Sequence, residues 1–416
     1  MGNPHRSRGI LGGIRSRRSR DGANAPSLYP HPGLERPYRV DAGQSLGPSA
    51  QERIPELDAL RGIACLTILV YHAKTSIVPF GWAAVDLFFV LSGYLITSIL
   101  IRYQGSSHFL RNFYVRRGLR IWPIYYLTVL ALVILGPFLP SATSWNGLLY
   151  HLTYTQNTPL YWSGEVPKFS PYAAHLWTLA NEEQFYVIWP LLVCGLGRRS
   201  VIPLALVLAG VSVTARARGF DSWLLLARAD GFALGGLLAA LLADRGVVAQ
   251  RFDAYRRGFS AVIGFSVVFL AVAVASGWLP TFGKPPKGAA FSVLAINAIF
   301  FSVVGLVATH AGRPSLAWLR RPRLVGLGTI SYGLYLYHFV ALMLGADILV
   351  LVRGRGRSPL TDTALMGLAL VMALASWRWI EKPLLGLKDR FAYETRSIKV
   401  ARESHRPTTL AAAKEC

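Results

Sequence analysis

The sequence predicts an all-α, polytopic integral membrane protein with about ten transmembrane helices and both termini in the cytoplasm. Three observations carry that expectation. The 416 residues are 53% hydrophobic and only 16% charged, which is too apolar for an ordinary soluble domain. About ten windows approach the roughly 20 apolar residues that span a hydrocarbon core. Lys and Arg gather in alternate loops, 15 against 9, and in both tails, so the positive-inside rule puts the tails inside.

Residues 1–52 are rich in Arg, Ser, Gly and Pro and lack the apolar core of a signal peptide, so they read as a disordered basic cytoplasmic tail. A membrane domain is expected over 53–385, with helices near 57–77, 81–101, 118–138, 176–196, 200–215, 222–243, 258–277, 289–309, 325–345 and 360–381. A second basic tail, 386–416, closes the chain. The long outer loop 139–175 holds Trp145, Tyr150, Tyr154, Tyr161 and Trp162 with few charges, as a sugar-stacking or interfacial surface would. Arg353, Arg355 and Arg357 form the one outer loop that runs against the charge rule.

The net charge of +23 does not point to nucleic acid, because the basic residues lie between apolar runs and in the tails. Cys65, Cys194 and Cys416 form no CxxC pair, so neither a disulfide framework nor a zinc site is indicated, and no metal is expected.

The first helix is the informative one. LDALRGIACLTILVYHA (57–73) carries Asp58, Arg61 and His72. Arg61 and His72 are eleven residues apart, which puts them on one helical face about 16 Å apart along the axis. A charge at the bilayer centre costs about 2.5–3.5 kcal/mol on insertion scales, so such a stripe should face a protein interior or a wet cavity. Taken singly, Arg61 reads as an interfacial anchor and His72 as a packing residue. Together they suit a long ligand, with a phosphate-rich head at Arg61 and a reactive tail at His72, where neutral imidazole can act as a base.

These residues resemble the membrane-bound acyltransferase 3 family, whose first helix carries an Arg, ten residues and a His, here RGIACLTILVYH. The resemblance continues through GWAAVDLFFVLSGYLIT (81–97), FYVRRGLRIWPIYYL (113–127), HLWTLANEEQFYVIWP (175–190), RADGFALGG (228–236), ISYGLYLYHF (330–339) and RWIEKP (378–383). It implies transfer of an acyl group, often acetyl, from acyl-CoA to a hydroxyl of a carbohydrate, lipid-linked sugar or glycosylated metabolite. His72 would then be the base and Arg61 a donor-binding residue. It also implies a multi-pass protein of the cell membrane, with acyl-CoA, acetyl-CoA in the first instance, as a donor substrate rather than a permanently bound cofactor. Some members carry a carboxy-terminal esterase-like domain. None is expected here, because a basic tail without a Gly-Asp-Ser motif follows Pro383.

Three further groups complete the expected site. Asp86, at the outer start of the second helix, could orient His72 and stabilise its imidazolium, or serve as a helix cap or in a structural hydrogen bond. Glu182 and Glu183 point about 100° apart, so one of them should face the cavity, and Glu183 is the choice. Its alternative is a pair with Arg228, while Arg228 and Asp230 should each find partners elsewhere. Arg116, Arg117 and Arg120 open the third helix from inside and fit nucleotide phosphates. Ser92 and Gly93 read as a close helix contact, His338 as a packing or substrate-contact residue, and Glu381 as structural. The rival from another class is a secondary transporter, since charged groups on several helices also suit a solute path, but neither broken helices nor an inverted repeat is evident.

Overall fold

The computed structural model of the protein describes residues 53–139, 144–162, 168–221, 223–277, 289–354 and 357–393. The chain divides into two units, Met1–Ser45 and Leu46–Cys416, and all of these residues belong to the second. The expected tail 1–52, Cys416 and Arg355 lie outside the described residues.

Among the described residues the chain is helical, with no strand. It begins with α1 (Pro55–Ala73), α2 (Ala84–Tyr103) and α3 (Phe109–Leu135), and the short α4 (Leu148–Leu152) and α5 (Pro159–Trp162) lead to α6 (Trp177–Leu196). Next come α7 (Val201–Ala217), α8 (Leu225–Leu241), the short α9 (Arg245–Gln250), α10 (Phe252–Ala275) and α11 (Ala289–Thr309). The last are α12 (Pro322–Thr329), α13 (Ser331–Arg353), α14 (Pro359–Ser376) and α15 (Lys382–Gly386).

Seven helical segments among the described residues are long and apolar enough to cross a membrane: Gly81–Tyr103, Phe109–Phe138, Arg198–Ala217, Phe252–Ala275, Ala290–Thr309, Ser331–Val352 and Pro359–Phe391. The other three expected windows also fold as helices, α1, α6 and α8, of 19, 20 and 17 residues. These three carry the polar interior: Glu56, Asp58 and Arg61 on α1, Asn181 to Gln184 on α6, and Arg228 and Asp230 on α8. Composition that makes a helix a poor free-standing span makes it a good wall for a site. The window expected at 325–345 is broken at Ile330, which separates α12 from α13.

Backbone contact sets how closely the inner helices pack. A Cβ on Gly93 of α2 would lie 2.0 Å from the Phe232 carbonyl oxygen, and one on Gly235 of α8 would lie 2.1 Å from that of Val90. Small residues are what let two membrane helices approach this far. Gly93 thus has the contact role expected of it. Large apolar side chains such as Phe265, Val268, Leu351 and Leu360 are exposed on α10, α13 and α14, as suits surfaces solvated by lipid rather than water.

The connection between α3 and α6 folds down onto the helices. Gln156 donates to the Tyr125 hydroxyl at 3.1 Å and to the Leu176 carbonyl at 2.9 Å, while Asn157 donates to Asn181 at 2.6 Å and to Gln184 at 2.9 Å. Tyr154 and Tyr161 are buried, Tyr154 stacking on Tyr125 with centroids 4.3 Å apart, so neither belongs to the expected aromatic surface. Trp145 is 66% exposed and remains available to one. The side chain of Trp162 lies outside the described residues. Burial pushes the His151 imidazole in this connection down to about 4, against hydrogen bonds to the backbone of Gly147 and Ala173.

Candidate active site

Two neighbouring constellations occupy the interior. The first is a cavity of about 60 Å³ whose polar lining comes from Arg61 of α1, Ser92 of α2, Arg117 and Arg120 of α3, and Glu182 and Tyr186 of α6. Apolar walls from Val85, Phe88 and Phe89 close it on the α2 side. Arg61 keeps only a loose pair with Asp58, at 3.9 Å, because Asp58 also takes the guanidinium of Arg53. Arg117 lies over the Tyr186 ring at 5.6 Å, and Arg120 makes no hydrogen bond or ion pair among the described residues. Three guanidinium groups against the one lining carboxylate, Glu182, leave an excess of positive charge that favours an anion.

The carboxylate in this cavity is Glu182. It accepts from Ser92 at 3.3 Å, and the single Tyr186 O–H is shared between Glu182 at 3.2 Å and the Ser92 hydroxyl at 3.0 Å. Glu183, the expected choice, turns to α3 instead and accepts from the Trp122 indole at 3.0 Å. Arg116 also leaves the expected cluster. Its guanidinium donates to the carbonyl of Lys388 at 2.7 Å and lies over the Tyr393 ring at 5.2 Å, so it fastens the segment after α15. Tyr393 is buried against Tyr103 and Phe109, so the stretch 386–393, which composition assigned to the tail, is anchored on the helices at its far end while Gly386, Leu387, Asp389 and Arg390 stay exposed.

The second constellation is built around His72, in the last turn of α1. Its Nδ1 lies 3.0 Å from the Ile68 carbonyl and 3.3 Å from Nε2 of His338. A carbonyl only accepts, so a neutral His72 carries its proton on Nδ1 and keeps a lone pair on Nε2. Phe339 meets the ring edge-on at 5.2 Å. Arg357 donates to the carbonyls of His72 and Ala73 and pairs with Asp362 at 2.6 Å, so it caps the exposed end of α1. That gives one member of the discordant outer Arg cluster a local reason to be there.

Asp86 is not the partner of His72. Both its oxygens take Arg228, at 2.7 and 2.8 Å, and Asp230 is held in a fork by Arg216 at 2.9 and 2.7 Å. Arg228 and Asp230 do find separate partners. The imidazole partner was missed because it sits on α13, 266 residues away in sequence; its only signal was a second histidine on an apolar helix. His72 is not among the residues lining the cavity. Between them stand Thr178 and Tyr335, whose hydroxyls are 2.6 Å apart; Tyr335 lines the cavity and packs against His175 and His338 with centroids 5.5 and 5.3 Å away. Among the described residues no group of three or more His, Cys, Asp or Glu is placed to hold a metal ion.

A family model described as an acyltransferase domain matches residues 54–378. The chain is 29% identical over 370 residues to a putative peptidoglycan O-acetyltransferase, YrhL, of Bacillus subtilis, covering 80% of this chain and 55% of that protein. It is 26% identical over 379 residues to the peptidoglycan O-acetyltransferase OatA of Listeria monocytogenes, covering 80% of this chain and 56% of the relative. A putative O-acetyltransferase of Staphylococcus aureus is 26% identical over 377 residues, with 79% and 57% covered. The chain therefore spans about half the length of the curated relatives it matches. No solved structure matches it.

Proposed function

The chain belongs to the acyltransferase 3 family, and we propose that it is a multi-pass O-acyltransferase of the cell membrane that moves an acetyl group from acetyl-CoA to a carbohydrate hydroxyl. The names of its relatives favour peptidoglycan as the acceptor. The observation that carries the reading is the division of α1, with Arg61 in a cation-lined cavity and His72, about three turns away, holding a free Nε2.

The nucleotide phosphates of the donor bind Arg61, Arg117 and Arg120, which lie toward the end of the helices that the positive-inside rule assigns to the cytoplasm, where acyl-CoA is found. The acceptor oxygen attacks the thioester carbonyl carbon while His72 Nε2 takes the hydroxyl proton. The carbon–sulfur bond breaks, the new ester forms, and the departing thiolate takes the proton back from the imidazolium. As written, the step balances with the donor, the acceptor and His72 alone.

The test uses purified protein in nanodiscs, with acetyl-CoA and soluble peptidoglycan fragments and no gradient across the membrane. Wild type should release CoA thiol in an acceptor-dependent manner, which a gradient-driven transporter would not do. His72→Ala should fold and yet lose transfer by at least about a hundredfold, the usual contribution of a general base. Near-normal turnover by that variant would overturn the reading.

A further inference from the structure

We propose that His338 is a positioning residue for the transfer, holding the His72 ring in the Nδ1-protonated form that leaves Nε2 free to act as base. The inference rests on the reading of His72 as the base. It follows from which atoms on the page can donate. The Tyr335 carbonyl lies 2.5 Å from His338 Nδ1, and a carbonyl only accepts, so the His338 proton sits on Nδ1. A neutral His338 then has only a lone pair on Nε2, and that atom is the one 3.3 Å from His72 Nδ1. His72 Nδ1 must already be a donor, because the Ile68 carbonyl is 3.0 Å from it.

The two constraints agree without any adjustable proton. From the α13 backbone through two imidazoles to α1 each nitrogen is either donor or acceptor, the one His72 Nδ1–H being shared between the Ile68 carbonyl and His338 Nε2, and the chain of roles ends at the Nε2 of His72. When His72 takes the acceptor proton, the same Nδ1–H becomes charge-assisted and its bond to His338 strengthens, so the partner stabilises the imidazolium more than the resting ring. A carboxylate would do this more strongly, but Asp86 is committed to Arg228. A neutral imidazole, 1% exposed, gives directional help without placing another charge in the helix bundle.

The test exploits side-chain reach. Glutamine at 338 puts its terminal amide where Nε2 stands and can accept from His72, whereas asparagine ends near Nδ1 and keeps only the Tyr335 contact. Turnover and donor KM are measured for His338→Gln, His338→Asn and His338→Leu in nanodiscs, with thermal melting as a check that each is folded. His338→Gln should keep turnover within about threefold of wild type. His338→Asn and His338→Leu should lose about tenfold or more, with donor KM unchanged. Equal turnover in the Gln and Asn variants, whether retained or lost, overturns the inference while leaving the base reading intact if His72→Ala is inactive. An active His72→Ala instead overturns the base reading on which it rests.

Discussion

Arg228 of α8 grips both carboxylate oxygens of Asp86 on α2, at 2.7 and 2.8 Å, in the same interface where Gly93 and Gly235 let the backbones touch. Asp86 is fully buried, so this pair has little water to fall back on. Removing one member of a buried pair costs about 3–5 kcal/mol, because the other charge is stranded. Asp86→Ala and Arg228→Ala should each lower the yield and thermal stability of the protein in detergent. The double replacement Asp86→Leu with Arg228→Leu should recover much of that loss. A catalytic Asp86 would instead give normal yield and slow turnover.

Arg116 and Arg117 are sequence neighbours with opposite expected phenotypes. Arg117→Ala and Arg61→Ala should raise the apparent KM for acetyl-CoA by about tenfold, with less effect on a truncated thioester that lacks the nucleotide. Arg116→Ala should leave donor KM unchanged and lower the melting temperature, because its guanidinium ties down the backbone at Lys388 and stacks on Tyr393. Kinetics with both donors, set beside thermal melts, separate the two.

The α2–α8 contact leaves no room for a methyl group. Gly93→Ala or Gly235→Ala should destabilise by about 1–3 kcal/mol or more, since the new Cβ meets backbone rather than a side chain that can move. Gly210→Ala on α7, where a Cβ would meet nothing within 4 Å, is the control and should change the melting temperature little.

Acid should loosen the packed connection between α3 and α6. His151 titrates near 4 when buried and near 6.5 when exposed, so between those values the unfolded chain binds more protons than the folded one. Its contribution to stability is complete above 6.5, declines as pH falls, and levels off near 4. The full span is on the order of 3 kcal/mol. Melting curves from pH 7 to pH 4.5 should fall, and His151→Phe, which can still pack against Tyr161 and Phe169, should fall less steeply.

The parts of the site that the sequence disclosed are those that one helix carries by itself. Arg61 and His72 share a face because of helical geometry alone, and Gly93 announced a close approach by having no side chain. What stayed hidden depended on how a helix is rotated against its neighbours. Glu182 and Glu183 differ by 100° on α6, and only the Trp122 indole on α3 reveals which one turns away. Arg116 and Arg117 part in the same manner, because Tyr393 waits on one side and the cavity on the other. The partner of Asp86 lies on α8, 142 positions along, where no local pattern could reveal it. Tyr154 and Tyr161 looked like a surface because composition reports polarity and size, whereas their burial depends on Gln156 and Asn157 pinning the backbone to α6.

The contact between Thr178 and Tyr335 also ties α6 to α13 at one buried point. Their hydroxyls are 2.6 Å apart, and each also reaches the His175 carbonyl, at 3.2 and 3.3 Å, so one backbone oxygen and two side chains form a closed polar triangle. Tyr335 lines the arginine cavity and packs against His338. On the proposed reading, a donor that reaches from Arg61 to His72 has to displace these side chains, which makes this latch the first internal contact that productive binding would break.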